Sequence, residues 1–183
     1  MEAIKITLNQ KLIKYFFIAL LGSILLTISA KIQIPFYPVP MTMQTFMVIF
    51  IGIAFGWKLG LATVILYLSE GAIGLPVFAG TPEKGIGIVY FTGPTMGYLI
   101  GFLFAVFITG YFNVKKNYLL IFCKLIFATA VIYIVGLAWL GNLIGWDKPI
   151  FQLGAQPFLL AEIFKLSLLT VLYPQIKRLN KII

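Results

Sequence analysis

The 183-residue chain is 61% hydrophobic and 10% charged, with a mean hydropathy of +1.05, where a soluble domain has about 45–50% apolar and about 25% charged residues. Composition alone therefore makes it an integral membrane protein. The net charge of +9 does not indicate a nucleic-acid partner, because the basic residues lie between apolar runs and form no single patch with interleaved aromatics. Histidine is absent and the one cysteine, Cys123, sits in an apolar run. That excludes histidine-based catalytic triads, the usual zinc sites and an internal disulfide framework. No G-x-x-x-x-G-K-[ST] string occurs, so no ATP hydrolysis by this chain alone is expected. Neither a metal nor a cofactor is expected.

The first apolar run, Tyr15–Ala30, follows a polar start that carries Lys5, Lys11 and Lys14. The layout resembles a secretory signal, but the rest of the chain is also membrane-embedded and the parity of spans requires this one to be kept. Ala19 and Ser23 are small residues four apart, a face that lets another helix approach closely, whether within the chain or from a partner.

In the following segment, KIQIPFYPVPMTMQTF, Pro35, Pro38 and Pro40 predict an ordered, extended loop. Phe36 and Tyr37 beside Gln33, Thr42 and Gln44 give it the apolar and hydrogen-bonding groups of a ligand lid. A rigid connection with interfacial aromatics is the alternative. Spans two and three are expected at about 41–55 and 59–69, joined by a turn at Gly56–Lys58. A glycine-rich stretch, EGAIGLPVFAGTPEKGIGIVYFTGPTMGY, comes next. Non-helical backbone at membrane depth requires protein or a water-filled cavity around it, so this stretch is a second candidate wall of a site.

Span four is expected at 94–112, opened by Pro94, and span five at 118–140, with Lys124 able to snorkel to the surface. After a loop holding Asp147 and Lys148, span six is expected at 157–176. It contains Glu162 and Lys165, one helical turn apart on one face. Ionised groups in a bilayer core cost on the order of 2.5–3.5 kcal/mol each by insertion scales and normally have partners. This pair is the first candidate site; mutual neutralisation that merely helps the helices pack is the alternative reading.

Six transmembrane helices in one membrane domain spanning 1–183 place both termini on one side. That side collects Lys5, Lys11, Lys14, Lys58, Lys115, Lys116, Lys177, Arg178 and Lys181, plus Lys124 by snorkelling. The positive-inside rule makes it cytoplasmic. The proline loop, the glycine-rich loop and the Asp147 loop then face outward, above Glu162 and Lys165. The expected fold is an all-α membrane protein whose outward-facing loops lid a ligand pocket.

The strings PFYPVPMTMQT, LYLSEGAIGLPVFAG, GPTMGYLIGF and PFLLAEIFK together resemble the BioY family, the biotin-specific substrate-capture (S) components of energy-coupling factor (ECF) transporters. The likeness runs from about Ala30 to Lys165. The family's P-V-P-x-T-x-Q segment is kept at Pro38–Gln44. Its G-P-T-G-G-Y segment reads with Met96 in place of a glycine at Gly93–Tyr98, and its G-D-x-x-K segment reads Ala161–Glu162–Ile163–Phe164–Lys165.

The resemblance implies high-affinity biotin uptake in a prokaryotic cell membrane. It also implies docking on a transmembrane coupling protein driven by two cytoplasmic ATPases, with Ala19 and Ser23 as the docking face. By the same resemblance, Glu162 accepts from a ureido N–H and Lys165 meets either the ureido carbonyl or the tail carboxylate. Gln44, Thr95 and Tyr98 are expected as further polar contacts, and Phe36, Phe78 and Tyr90 as apolar walls. The alternatives are a capture component for another vitamin, a membrane enzyme using Glu162, or a purely structural protein.

Overall fold

The structure, a computed structural model, describes residues 2–112, 114 and 117–183, with side chains described from residue 10 onward. Lys5, Lys115 and Lys116, used above to orient the chain, lie outside the described side chains. The architecture is all-α with one short hairpin: α1 (Glu2–Lys31), β1 (Gln33–Ile34), β2 (Met41–Thr42), α2 (Gln44–Ala72), α3 (Met96–Tyr111), α4 (Tyr118–Ile144), α5 (Ile150–Gly154) and α6 (Leu159–Ile182). The helical stretches 10–31, 44–72, 118–144 and 150–182 are long and apolar enough to cross a membrane, and α3 is a shorter apolar helix.

Within α2 the helical path breaks at Gly56, whose φ of 73° and ψ of 175° suit a residue without a Cβ. The chain reverses there. Gln44 Nε2 donates to the Tyr67 hydroxyl at 2.8 Å across 23 residues, which a straight helix would separate by roughly 35 Å. The expected spans two and three are thus the two arms of one broken helix, and the turn is Gly56 alone. Counting the arms separately, and α5 with α6 as the one stretch 150–182, gives six apolar helical segments among the described residues.

α3 packs into the reversal. A Cβ on Gly110 would lie 2.4 Å from the Trp57 backbone nitrogen and 2.7 Å from Gly56 C, so only glycine lets α3 come this close. Leu26, Ile51, Val64, Phe102, Val106 and Ile132 form the main core, and a second cluster around Ile53, Leu125 and Leu169 joins α6 to the first arm of α2.

Several helices run past their expected limits, α1 and α6 furthest. Hydropathy finds the apolar middle of a helix, whereas backbone hydrogen bonding continues through polar ends that have partners. Lys14 Nζ donates to the carbonyls of Ile182 and Ile183 at 3.1 and 3.2 Å. Asn117 caps α4 by accepting from Leu119 and Leu120. α6 continues through Pro174.

The proline segment is the tip of the β1–β2 hairpin, with Gln33 opposite Thr42 and Ile34 opposite Met41. The glycine-rich stretch folds inward, burying Val77, Phe78 and Tyr90. Lys31 Nζ ties it to the end of α1 by donating to Phe78 O, Thr81 O and Thr81 Oγ1 at 2.9–3.1 Å. Ala19 and Ser23 are buried, and Ser23 Oγ donates to Glu70 on the second arm of α2. The small-residue face expected as the docking face, Ala19 and Ser23, is therefore occupied by packing within the chain.

Gly110→Leu should separate α3 from the α2 hinge and destabilise the protein by about 1–3 kcal/mol, the usual cost of overpacking. The check is a lowered melting temperature in detergent; a variant that melts with the wild type would contradict the close approach.

Candidate functional site

The proline hairpin, the glycine-rich stretch and the starts of α3 and α6 meet at one end of the bundle. They enclose about 500 Å³ of space between atoms, mouth included, of which about 50 Å³ is open to the centre of a water molecule. The walls include Pro40, Thr42, Gln44, Thr45, Tyr98 and Glu162. Such a cavity holds a few waters. A larger guest requires the loops above it to shift.

The charged pair anchors the floor. Glu162, in the first turn of α6, is favourably placed at a helix N-terminus. Its Oε1 accepts from Lys165 Nζ at 2.8 Å, from Thr45 Oγ1 at 2.8 Å and from the Tyr133 hydroxyl at 3.3 Å. Its Oε2 is buried and has no hydrogen-bond partner among the described residues. An unpaired buried acceptor costs about 1–3 kcal/mol, more when charged, so a donor arriving in the cavity would be held firmly.

Lys165 Nζ also donates to Thr42 O at 2.7 Å and Thr45 Oγ1 at 3.1 Å. An ammonium has three donors and no acceptor, so all are in use. Lys165 does not line the cavity. It borders a shallow outer groove beside Ile34, Met43 and Phe164, behind the Thr42–Thr45 turn. Its effect is to fix Glu162 and Thr45 in place.

Of the other expected residues, Gln44, Thr95, Tyr98 and Tyr90 line the cavity. Gln44 is oriented by Tyr67, whose own hydroxyl donates to Val77 O at 3.1 Å. The Tyr98 hydroxyl donates to Gly154 O and the Tyr90 hydroxyl to Ala79 O, both at 2.8 Å. These two rings therefore offer a ligand their faces while their hydroxyl protons brace α5 and the glycine-rich stretch. Phe78 does not line the cavity; it stacks behind Tyr90 at 4.6 Å. Phe36 lies above, edge-on to Phe158 at 5.6 Å, and Phe158 is the ring that reaches the cavity. Met96 does not line the cavity either.

Thr45, Tyr133 and Phe158 are site residues that the motifs did not single out. Tyr133 carried a readable signal, a hydroxyl midway along an apolar span, which needs a partner in a bilayer. Thr45 and Phe158 stand inside the quoted strings PFYPVPMTMQT and PFLLAEIFK, but nothing there marks them apart from their neighbours.

The model of the BioY family matches residues 4–181. The probable biotin transporter BioY of Pyrococcus horikoshii is 40% identical over 141 residues, covering 77% of this chain and 82% of that protein. The biotin transporter BioY of Thermotoga maritima is 33% identical over 157 residues, covering 85% and 91%. The crystal structure of the S-component for biotin from an ECF-type ABC transporter superimposes with a TM-score of 0.76 at 26% identity, covering 94% of both chains. The chain belongs to the BioY family.

Proposed function

We propose that this protein is the substrate-capture component of an ECF-type transporter, binding biotin in the cavity above Glu162 for uptake across the cell membrane of a prokaryote. The observation that carries this reading is the Oε2 of Glu162, without a partner among the described residues, on a residue that lines a cavity walled mainly by aromatic and aliphatic side chains, with Thr42, Gln44, Thr45 and Thr95 as its other polar groups. Biotin matches it chemically. The ureido ring supplies N–H donors, the fused rings and chain are apolar, and the carboxylate sits at the far end of a flexible tail.

The geometry favours one orientation. Lys165 has no donor left for a tail carboxylate, and an anion brought beside Glu162 would be repelled. The ureido N–H therefore donates to Glu162 Oε2, the bicycle lies against Tyr98, Tyr90 and Phe158, and the tail points to the mouth. Gln44 and Thr95 are left for the polar atoms of the ring and tail. Glu162 acts as an acceptor in this scheme and no bond is broken. The part is binding, with any ATP hydrolysis carried out by cytoplasmic ATPases acting through a coupling protein. The basic ends of the helices lie in the cytoplasm and the cavity opens outward, in accord with the charge asymmetry along the chain.

Calorimetry of the detergent-purified protein should show tight biotin binding, and Lys165→Ala should weaken it by about 30- to 5,000-fold, the 2–5 kcal/mol typical when one member of a buried charge pair is removed. Unchanged affinity in that variant would sink the site assignment, and tighter binding of another vitamin would redirect the substrate. Tyr133→Phe removes one of three donors to Glu162 Oε1 and should cost about fivefold in affinity, near the ~1 kcal/mol of a neutral hydrogen bond. The orientation is checked by biotin methyl ester, which should bind within about tenfold of biotin, while an N-methylated ureido analogue should lose most of its affinity. The reverse order would place the tail at the charged pair.

A further inference from the structure

At the end of the bundle opposite the cavity, the first turn of α4 and the last turns of α6 border an open groove of about 760 Å³. Lys177, Arg178 and Lys181 line it, on the i, i+3/i+4 spacing that places them on one face of α6. No carboxylate among the described residues pairs with them, since the Glu162–Lys165 contact is the one salt bridge there. The acidic residues whose side chains are described, Glu70, Glu83, Asp147 and Glu162, belong to the loop end of the bundle. Lys177 and Lys181, four apart, repel each other until an anion sits between them.

The floor of the groove is apolar and aromatic. Tyr118 is exposed, and Ile121 and Tyr173 form the buried base. Leu119 and Leu120, between Tyr118 and Ile121 in the first turn of α4, are both more than half exposed. A soluble acidic protein surface would complement the cations alone. An anion carrying its own hydrocarbon complements both the cations and the apolar floor.

We infer that this groove is a binding site for an anionic glycerophospholipid, with its phosphate held by Lys177, Arg178 and Lys181 and its glycerol and first methylenes lying against Tyr118 and Ile121. Arginine can meet two phosphate oxygens at once, and the lysines contribute as point charges. Basic pockets between membrane helices recognise phosphate headgroups by this chemistry.

The test is a titration of the full chain, purified in a neutral detergent, with dihexanoyl phosphatidylglycerol, dihexanoyl phosphatidylcholine and inorganic phosphate. Phosphatidylglycerol should bind in preference to both comparators. The variant Lys177→Gln/Arg178→Gln/Lys181→Gln should weaken it about a hundredfold, each basic group near an anionic lipid contributing about fivefold. An unchanged melting temperature and biotin response would show that the variant is folded, and if it is not, Lys181→Gln alone should lose about fivefold. Equal binding of phosphatidylcholine, or undiminished phosphatidylglycerol binding by the folded variants, overturns the inference. Inorganic phosphate binding as tightly as the lipid overturns it in favour of a soluble anion. Loss of assembly with the coupling protein in the triple variant, with lipid binding intact, overturns it in favour of protein docking.

Discussion

A carboxylate and an ammonium held out of water by the surrounding chain govern the loop end of this molecule. Glu162 and Lys165 are both more than nine-tenths buried, and two charges so placed persist only if the geometry between them is good and the remaining lone pairs and protons are matched. The ammonium is fully matched: Glu162 Oε1, Thr45 Oγ1 and Thr42 O accept its protons. The carboxylate is matched on one oxygen only. That asymmetry leaves one carboxylate oxygen able to accept from a hydrogen-bond donor.

Much of the fold serves that arrangement. Thr42 is on β2 and Thr45 in the first turn of α2, so the hairpin must hold α2 at the right depth beside α6. The hairpin register does this at Gln33–Thr42, and the Gly56 reversal returns the second arm so that Tyr67 can brace Gln44. Tyr133 reaches Glu162 from α4, and Tyr98 leaves α3 to tie down Gly154. Side chains from three helices, α2, α4 and α6, therefore meet at one buried carboxylate oxygen. The tight helix contacts at glycine, such as Gly110 against the α2 hinge, fix their relative positions.

The composition, the charged pair and the two interrupted segments beside the cavity could be read from the sequence because each rests on a strong local rule. Hydropathy identifies apolar helices, buried charges need partners, and proline and glycine interrupt regular structure. Positions set by tertiary geometry could not be read in the same way. Lys165 was expected to meet the ligand, yet it stands behind Thr42 and Thr45, because one turn of α6 points its side chain at the back of the hairpin. Phe78 and Phe36 were expected as walls, and each stands one ring away, behind Tyr90 and beside Phe158. Aromatic content in a loop says that rings will pack, but their order from the cavity outward depends on contacts distant in sequence. The Ala19–Ser23 face shows the same limit, since spacing alone does not say which helix comes close.

The closed cavity, open to the centre of a water over only about 50 Å³, implies that the hairpin and the glycine-rich stretch move apart when ligand enters. Whether the free oxygen of Glu162 receives the ureido group is decided by a structure of this protein with biotin bound. A ureido nitrogen should lie within about 3 Å of Glu162 Oε2, the usual hydrogen-bond distance, with the tail carboxylate toward the loops and Lys165 still bonded to Thr42 and Thr45. A tail carboxylate seated on Lys165, with the ureido ring away from Glu162, would contradict that placement.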